Sequence, residues 1–406
     1  MKPLSRIAEQ IKESSTLAMD ALYKQMKADG IDVLGFAAGE PDFPTPDRIK
    51  LAAIEAIIEN ETKYTPATGT VELKQAICQR LKEDCGVEYR PDQIIASSGA
   101  KHCIYLVMQT LVSIGDEVII PTPAWVSYSE MAKMAGGVPV FIPCGEEDHF
   151  KLTPERLEAA ITEKSKCIFF NNPSNPTGMI YTKEELKALA DVCVKHDLYI
   201  IADEIYYKLL YDGVGFTSIA ALSPEIKAHT ILINGVSKSY AMTGWRIGYL
   251  AAEPEVVKVI ARYVSQSTGN PSAPAQAAAV EALSGPQGDV EVMRQAFEKR
   301  RDYMVEHLNY LPGISCLKPQ GAFYVMMNIT EWIGKTLYGE EIRDEGHFAS
   351  LLLTKGKVCL VPSTGFGMPG FLRWSYATSL ENIKAGIDRL GHFLIEGESF
   401  GIRSDK

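Results

Sequence analysis

No apolar run in this chain approaches the roughly 18–20 residues that a membrane-crossing helix requires. The opening residues, MKPLSRIAEQIKESS, lack the apolar centre of a secretory leader. Basic residues are in deficit: 41 Lys and Arg stand against 51 Asp and Glu, a formal charge of −10. A nucleic acid needs a basic surface, so binding one is not expected as the main task. The cysteines at 78, 85, 103, 144, 167, 193, 316 and 359 form no CxxC pair, and the histidines show no HExxH spacing. That argues against a disulfide framework and a zinc site. These absences describe a cytoplasmic protein with no metal, membrane or nucleic-acid partner.

What is present is ordinary globular composition, 46% hydrophobic and 23% charged over 406 residues, enough for a large core and more than one domain. Apolar runs predict strands at 93–97, 117–121, 139–142, 167–171, 199–202, 230–234 and 246–251. Amphipathic stretches between them predict helices, among them 127–134, 154–161 and 183–196. This rhythm implies an α/β architecture with a mostly parallel sheet, whose ligands bind at the carboxyl ends of the strands. Helices are also expected at 5–29 (Ile7, Ile11, Leu17, Ala21, Leu22, Met26), from a cap at Asp47 to 59, at 70–85, 254–268 and 272–284, and from 289. A short strand is expected at 32–36. The strand-like GAFYVMMNI and a helix near 380–396 suggest a smaller α+β domain, with 396–406 as a loose end. The expected division is 46–290 for the large domain, and 1–45 with 291–406 for the small one.

The chemistry gathers at predicted strand ends. Lys238 follows the buried run Ile231-Leu232-Ile233 and a turn at Asn234-Gly235, among small residues that leave room for a planar group. A desolvated lysine has a lowered pKa and attacks carbonyls. Arg246, eight residues on, offers a fork suited to phosphate. An aldehyde-reactive lysine beside a phosphate-reading arginine suits a pyridoxal phosphate enzyme; two solvated basic residues at a strand end would give the same local pattern. Ser98-Gly99-Ala100-Lys101-His102 joins a strand to a helix, which fits either an ordinary turn or a phosphate cradle. NNPSNPTG, with Asn175, is a rigid loop able to aim amides into a site. Asp203 ends the apolar run YIIA, either as a helix cap or as partner to a cation such as a protonated ring nitrogen, with Tyr206 three residues on. Trp125 suits stacking or the core. Arg373, among Phe371, Leu372 and Trp374, is either paired within the fold or reads a substrate carboxylate. YIIADE is also compatible with a P-loop ATPase, but the only GK[ST] lacks its glycine: position 329 is Ile329.

In order along the chain, AGEPDFPTP, YTPATG, SSGAKH, PAWVSY, NNPSNPTG, ADEIY, SKSYAMTGWRIGY, GAFYV and FLRWSYATS resemble the class I aminotransferases of pyridoxal phosphate fold type I. The resemblance spans nearly the whole chain. It implies a seven-stranded large-domain sheet, a homodimer with shared sites, and ping-pong transfer of an amino group between an amino acid and a 2-oxo acid. Lys238 resembles the lysine that carries the cofactor. Asp203 resembles the partner of the ring nitrogen, Asn175 and Tyr206 donors to the ring oxygen, and Trp125 the stacking aromatic. Gly99, Ala100, Lys101 and Arg246 resemble the phosphate site, and Tyr64 the tyrosine that reaches a neighbouring subunit's phosphate. Gly235 stands where many members have serine, and Ser237 is a candidate for the missing hydroxyl. Gly39 and Arg373 resemble the α-carboxylate clamp, with Asn175 assisting. The bacterial-type aspartate aminotransferases are similar throughout. Their pattern implies that Lys101 reads a distal carboxylate, that Lys12 and Thr16 belong to acidic and prephenate substrates, and that aspartate and 2-oxoglutarate are the pair used. Lys12 fits equally a solvated lysine on an amphipathic helix. Other amino acids, and elimination chemistry on the same fold, stay open.

Overall fold

The computed structural model describes residues 2–403. Its centre is a seven-stranded sheet of β1 (Ile94–Ser97), β2 (Glu117–Thr122), β3 (Val138–Pro143), β4 (Ser165–Asn171), β5 (Tyr199–Asp203), β6 (Thr230–Gly235) and β7 (Gly248–Ala251). The spatial order is β1-β7-β6-β5-β4-β2-β3, and only β7 runs antiparallel to its neighbours. The alternating side chains divide between two cores. Ile120, Ile201 and Ile231 join one with the helix Ala100–Leu111, while Ile119, Ile200 and Ala202 join another with Lys183–Lys195. A sheet buried on both faces needs continuous apolar strands, which is how these read.

Register fixes which residues share an edge. Asn171 pairs with Asp203, Asp203 with Ile233, and Gly235 and Ser97 each with Gly248. The carboxyl ends of β1, β4, β5 and β6 and the amino end of β7 therefore lie side by side. A second, antiparallel sheet orders Val361–Pro362, Phe371–Ser375 and Tyr324–Asn328. A core of Phe297, Trp332, Trp374 and Phe393 packs around it with the helices Gly288–Leu308 and Leu380–Arg403. Leu34–Gly35 pairs in parallel with Val358–Cys359.

Four details depart from the sequence reading. The helix expected at 5–29 is two, Arg6–Glu9 and Ser15–Ala28. Ser14 caps the second by accepting the Leu17 N–H, and the Lys12 N–H leaves the helix for Glu130. Pro46, not Asp47, is the cap before Asp47–Ile58. The strand expected from 246 starts at Gly248, because Arg246 adopts a left-handed φ of 56° after a turn of 3-10 helix. The end of the chain is helical to Arg403, with residues 404–406 outside the described part. Gly397 does not break that helix; it packs so close to Leu337 that a Cβ would sit 2.9 Å from it. Among the described residues no helix is long and apolar enough to cross a membrane, no His, Cys, Asp and Glu cluster suits a metal, and all eight cysteines are free.

Candidate active site

Lys238 stands on the turn after β6. Its Nζ donates to the Gly39 carbonyl and lies 6.0 Å from the Phe323 ring. Burial, together with the positive charges of Arg373 and Arg246, lowers its pKa to about 8, against the pull of Glu40 and Asp203. A share of neutral amine near neutral pH is what nucleophilic attack requires.

Asp203 closes β5 and is 4% exposed. Its carboxylate accepts the Tyr128 hydroxyl at 2.6 Å and the Ile205 N–H at 3.3 Å. Burial pushes its pKa up to about 6, and these hydrogen bonds and Lys238 only partly oppose the rise. No ion pair satisfies it among the described residues. The Ile205 contact is a local turn bond, but no side-chain cap of a helix forms there. Tyr128 stacks on Phe169 and meets Trp125 edge-on, so Trp125 stands half-buried above the same strand end.

Asn175 is held from two sides. Its N–H donates to the Asn171 side chain at 2.6 Å, and its Oδ1 accepts from Arg373 at 3.0 Å. Arg373 is 1% exposed, donates to the Ala37 carbonyl at 2.8 Å, and lies over the Tyr324 and Phe366 rings. No carboxylate pairs with it among the described residues, and its Nε is buried without a partner. Burial lowers its pKa. A sealed guanidinium lacking an anion is a site prepared for one. Tyr206 and Tyr324 join hydroxyls at 3.0 Å, and a Cβ on Gly39 would meet the Tyr324 hydroxyl at 2.8 Å.

Gly99 begins the helix Ala100–Leu111 at φ 90° with no side-chain cap, which leaves the positive end of the helix open. A Cβ there would lie 2.6 Å from Arg246, whose guanidinium donates to the Ser98 and Thr243 carbonyls. Lys101 stays exposed with its ammonium 4.9 Å from the Trp125 ring. Desolvation by the surrounding wall and the charge of Arg246 lower its pKa. A cavity of about 680 Å³ joins Lys101, Arg246 and Lys12.

The structure thus gathers Gly39, Trp125, Asn175, Asp203, Tyr206, Lys238 and Arg373 at one strand edge, with Gly99, Ala100, Lys101 and Arg246 beside them. Ser237 is buried in the Lys238 turn. Thr16 does not line the large cavity, and its hydroxyl is buried without a partner. Tyr64 is 98% exposed and lines a different cavity, with Gln276. Tyr128 and Tyr324 carry no expectation from sequence. Tyr128 sits three residues after Trp125 at a helix start, a spacing that turns two side chains the same way. Tyr324 lies in GAFYV, where Phe323 and Tyr324 are both buried and alternation gives no signal.

A lysine poised as a nucleophile, a sealed carboxylate without a cation, a sealed guanidinium without an anion and an open helix end define an enzyme of carbonyl–amine chemistry on anionic molecules. The chain belongs to the class I and II aminotransferases, whose family pattern matches residues 31–390. It is 50% identical to an aspartate aminotransferase of Geobacillus stearothermophilus over 97% of this chain and 99% of that one. It is 45% identical to an aspartate/prephenate aminotransferase of Cereibacter sphaeroides over 96% and 98%. The crystal structure of the aspartate aminotransferase from Rhizobium meliloti superposes with a TM-score of 0.94 at 40% identity, covering 98% of this chain and all of that one.

Proposed function

We propose that this enzyme uses pyridoxal 5'-phosphate to move the amino group of aspartate to 2-oxoglutarate by a ping-pong cycle, and that prephenate is a further acceptor. The observation that carries the reading is Arg373, a sealed guanidinium with an unpartnered Nε and no carboxylate of its own. An α-carboxylate supplies the missing anion, assisted by Asn175 and by the close backbone at Gly39.

The residues fit the cofactor. Asp203, buried without a cation, suits a protonated ring nitrogen. Trp125 suits the ring face, and Tyr206 and Asn175 its hydroxyl oxygen. The open helix end at Gly99, Ala100 and Lys101, with Arg246 and Ser237, suits the phosphate. When bound, the cofactor withdraws electrons from the substrate's Cα. Lys238 is the group that would take the substrate's Cα proton as a base and give it back as an acid. Asp203 keeps the ring nitrogen protonated, and Arg373 holds the substrate so that the Cα–H bond faces Lys238.

Substrate choice rests on Lys101 and Lys12, two cations on one cavity wall with room for a side chain longer than that of aspartate. Thr16, read with them as a substrate residue, lies behind the cavity lining with its hydroxyl buried. An apolar side chain would strand both charges. Homodimer formation with shared sites is supported by Tyr64, which is exposed and lines a different cavity, and by the exposed Leu51, Ile54 and Ile58 on the helix Asp47–Ile58. The free cysteines favour a cytoplasmic enzyme. Residues 46–290 are read as the cofactor-binding domain, and 1–45 with 291–406 as the smaller one.

The test is a half-reaction panel. The pyridoxal form is mixed singly with aspartate, glutamate, phenylalanine and alanine, and absorbance follows its conversion. Fast conversion by the two acidic donors is expected. Fast conversion by phenylalanine or alanine alone would remove aspartate, and a protein that takes up no cofactor would remove the reading of Lys238.

A further inference from the structure

The cavity beside the site is lined by the stretch Ile11–Ser15 and by the helix Ser127–Met134. Between them the Lys12 N–H donates to Glu130 Oε2 at 3.0 Å, a contact between residues 118 apart in sequence. The other Glu130 oxygen is fixed by Lys133 Nζ at 2.8 Å and accepts the Ser129 hydroxyl at 3.4 Å. Burial works against the Glu130 charge, yet Lys133, the Lys12 N–H and Ser129 together hold its carboxyl below the usual range.

The Lys12 stretch has little else to fix it. Residues 10–14 belong to no helix, and neither flanking helix, Arg6–Glu9 or Ser15–Ala28, has a buried residue. The second of them docks through the partly buried Met19, Tyr23 and Met26, and a segment with few buried contacts opens easily. A hydrogen bond from a backbone N–H to an ionised carboxylate, itself anchored by a lysine, is the strong kind.

We infer that Glu130 is a positioning residue for substrate choice: it latches residues 10–14 against the helix Ser127–Met134 and so fixes Lys12 at the cavity, a role that rests on the acidic-substrate reading above. Glu130 acts through the Lys12 backbone, so its amide analogue keeps one acceptor for that N–H but loses the Lys133 anchor. Its own negative charge faces the same cavity, and a purely electrostatic role would have the opposite sign. Removing that charge would then improve the binding of acidic donors.

The test uses the cofactor-loaded enzyme and the variants Glu130→Ala, Glu130→Gln, Lys12→Ala and the Glu130→Ala/Lys12→Ala pair. KM and kcat are measured with aspartate and with alanine, and hydrogen exchange is followed over residues 10–16. In Glu130→Ala we expect faster exchange of that segment and a KM for aspartate raised about tenfold, the size of one charge-assisted hydrogen bond. The alanine constants should not follow. Glu130→Gln should restore both readouts in part, and Glu130→Ala should add nothing in the Lys12→Ala background, because coupled residues are not additive. Unchanged exchange, a lowered or unchanged KM for aspartate, an equal change with alanine, or full additivity with Lys12→Ala would each overturn the latch. Lys101→Ala run alongside separates the two readings. If it alone abolishes the preference for aspartate while Glu130→Ala does nothing, the latch fails and the acidic-substrate reading stands. If aspartate is not preferred in any variant or in the parent, that reading fails first.

Discussion

The floor of the site and its outer wall hold charge in opposite ways. On the floor, Asp203 and Arg373 are sealed from water. On the wall, Lys12 and Lys101 remain exposed. A buried charge is costly unless it is partnered. The fold therefore surrounds each floor residue with fixed hydrogen bonds and leaves open only the direction from which a ligand comes. For Asp203 the fixed partners are Tyr128 and Ile205; for Arg373 they are Asn175 and Ala37. Exposed charges cost little to keep and contribute little each. On the proposed function, reaction chemistry belongs to the floor and discrimination between substrates to the wall.

The largest expected effect tests the floor. Lys238→Ala should lower turnover about 10⁴-fold with every donor, because the proton shuttle is lost. It is read as the missing absorbance change in the half-reaction, and a loss of under tenfold would break the assignment. Arg373→Ala comes next. Its kcat/KM should fall about 10²–10³-fold for acidic and apolar donors alike, the effect of truncating one side of a desolvated charge pair. Arg373→Lys should recover only part, since an ammonium lacks the fork. A loss confined to acidic donors would move Arg373 from the floor to the wall. Lys101→Ala is the wall's counterpart. A drop of about tenfold is expected for aspartate and glutamate only, and the parent's advantage with these donors should shrink as salt is raised.

The smallest effect concerns a buried carboxyl that no ligand relieves. Glu204 follows Asp203, accepts from Ser218 at 2.8 Å and the Ile219 N–H at 3.2 Å, and has one oxygen buried without a partner. Burial pushes its pKa up to about 8 against those hydrogen bonds. The folded chain keeps this proton where the unfolded chain, at the ordinary value of 4.5, has released it. Stability is therefore lost as pH rises from about 4.5 towards 8. Between about pH 6.5 and 8, above the range in which Asp203 titrates, the melting temperature should fall less in Glu204→Gln than in the parent. Equal slopes would remove Glu204 as the cause.

The floor was largely legible in the sequence. Asp203 and Arg373 end or interrupt an apolar run, Lys238 and Asn175 lie on the loops that follow one, and the strand rhythm places such ends on one edge. Sequence could not decide whether Arg373 was already paired, because that depends on carboxylates brought near by folding, and among the described residues none pairs with it. Tyr128 and Tyr324 escaped for a related reason: each acts through a hydroxyl whose partner lies far away in sequence. The break in the N-terminal helix was hidden as well. The spacing of Ile7, Ile11 and Leu17 is helical, but Ser14 and the distant Glu130 compete for the backbone there.

Gly99, Arg246 and Gly248 also set limits on how this molecule can change. A methyl group on Gly99 would strike the Arg246 guanidinium, and one on Gly248 would lie 2.1 Å from the Ala100 nitrogen. Two loops almost 150 positions apart thus behave as one part with shared tolerances. In a randomised library, survivors altered at Gly99 or Gly248 should be scarce as single changes, and a different phosphate grip would have to arise through several simultaneous replacements. The exposed side chains of Lys12 and Lys101 have no such interlock, so on the proposed function new substrate preferences are open to this enzyme one substitution at a time.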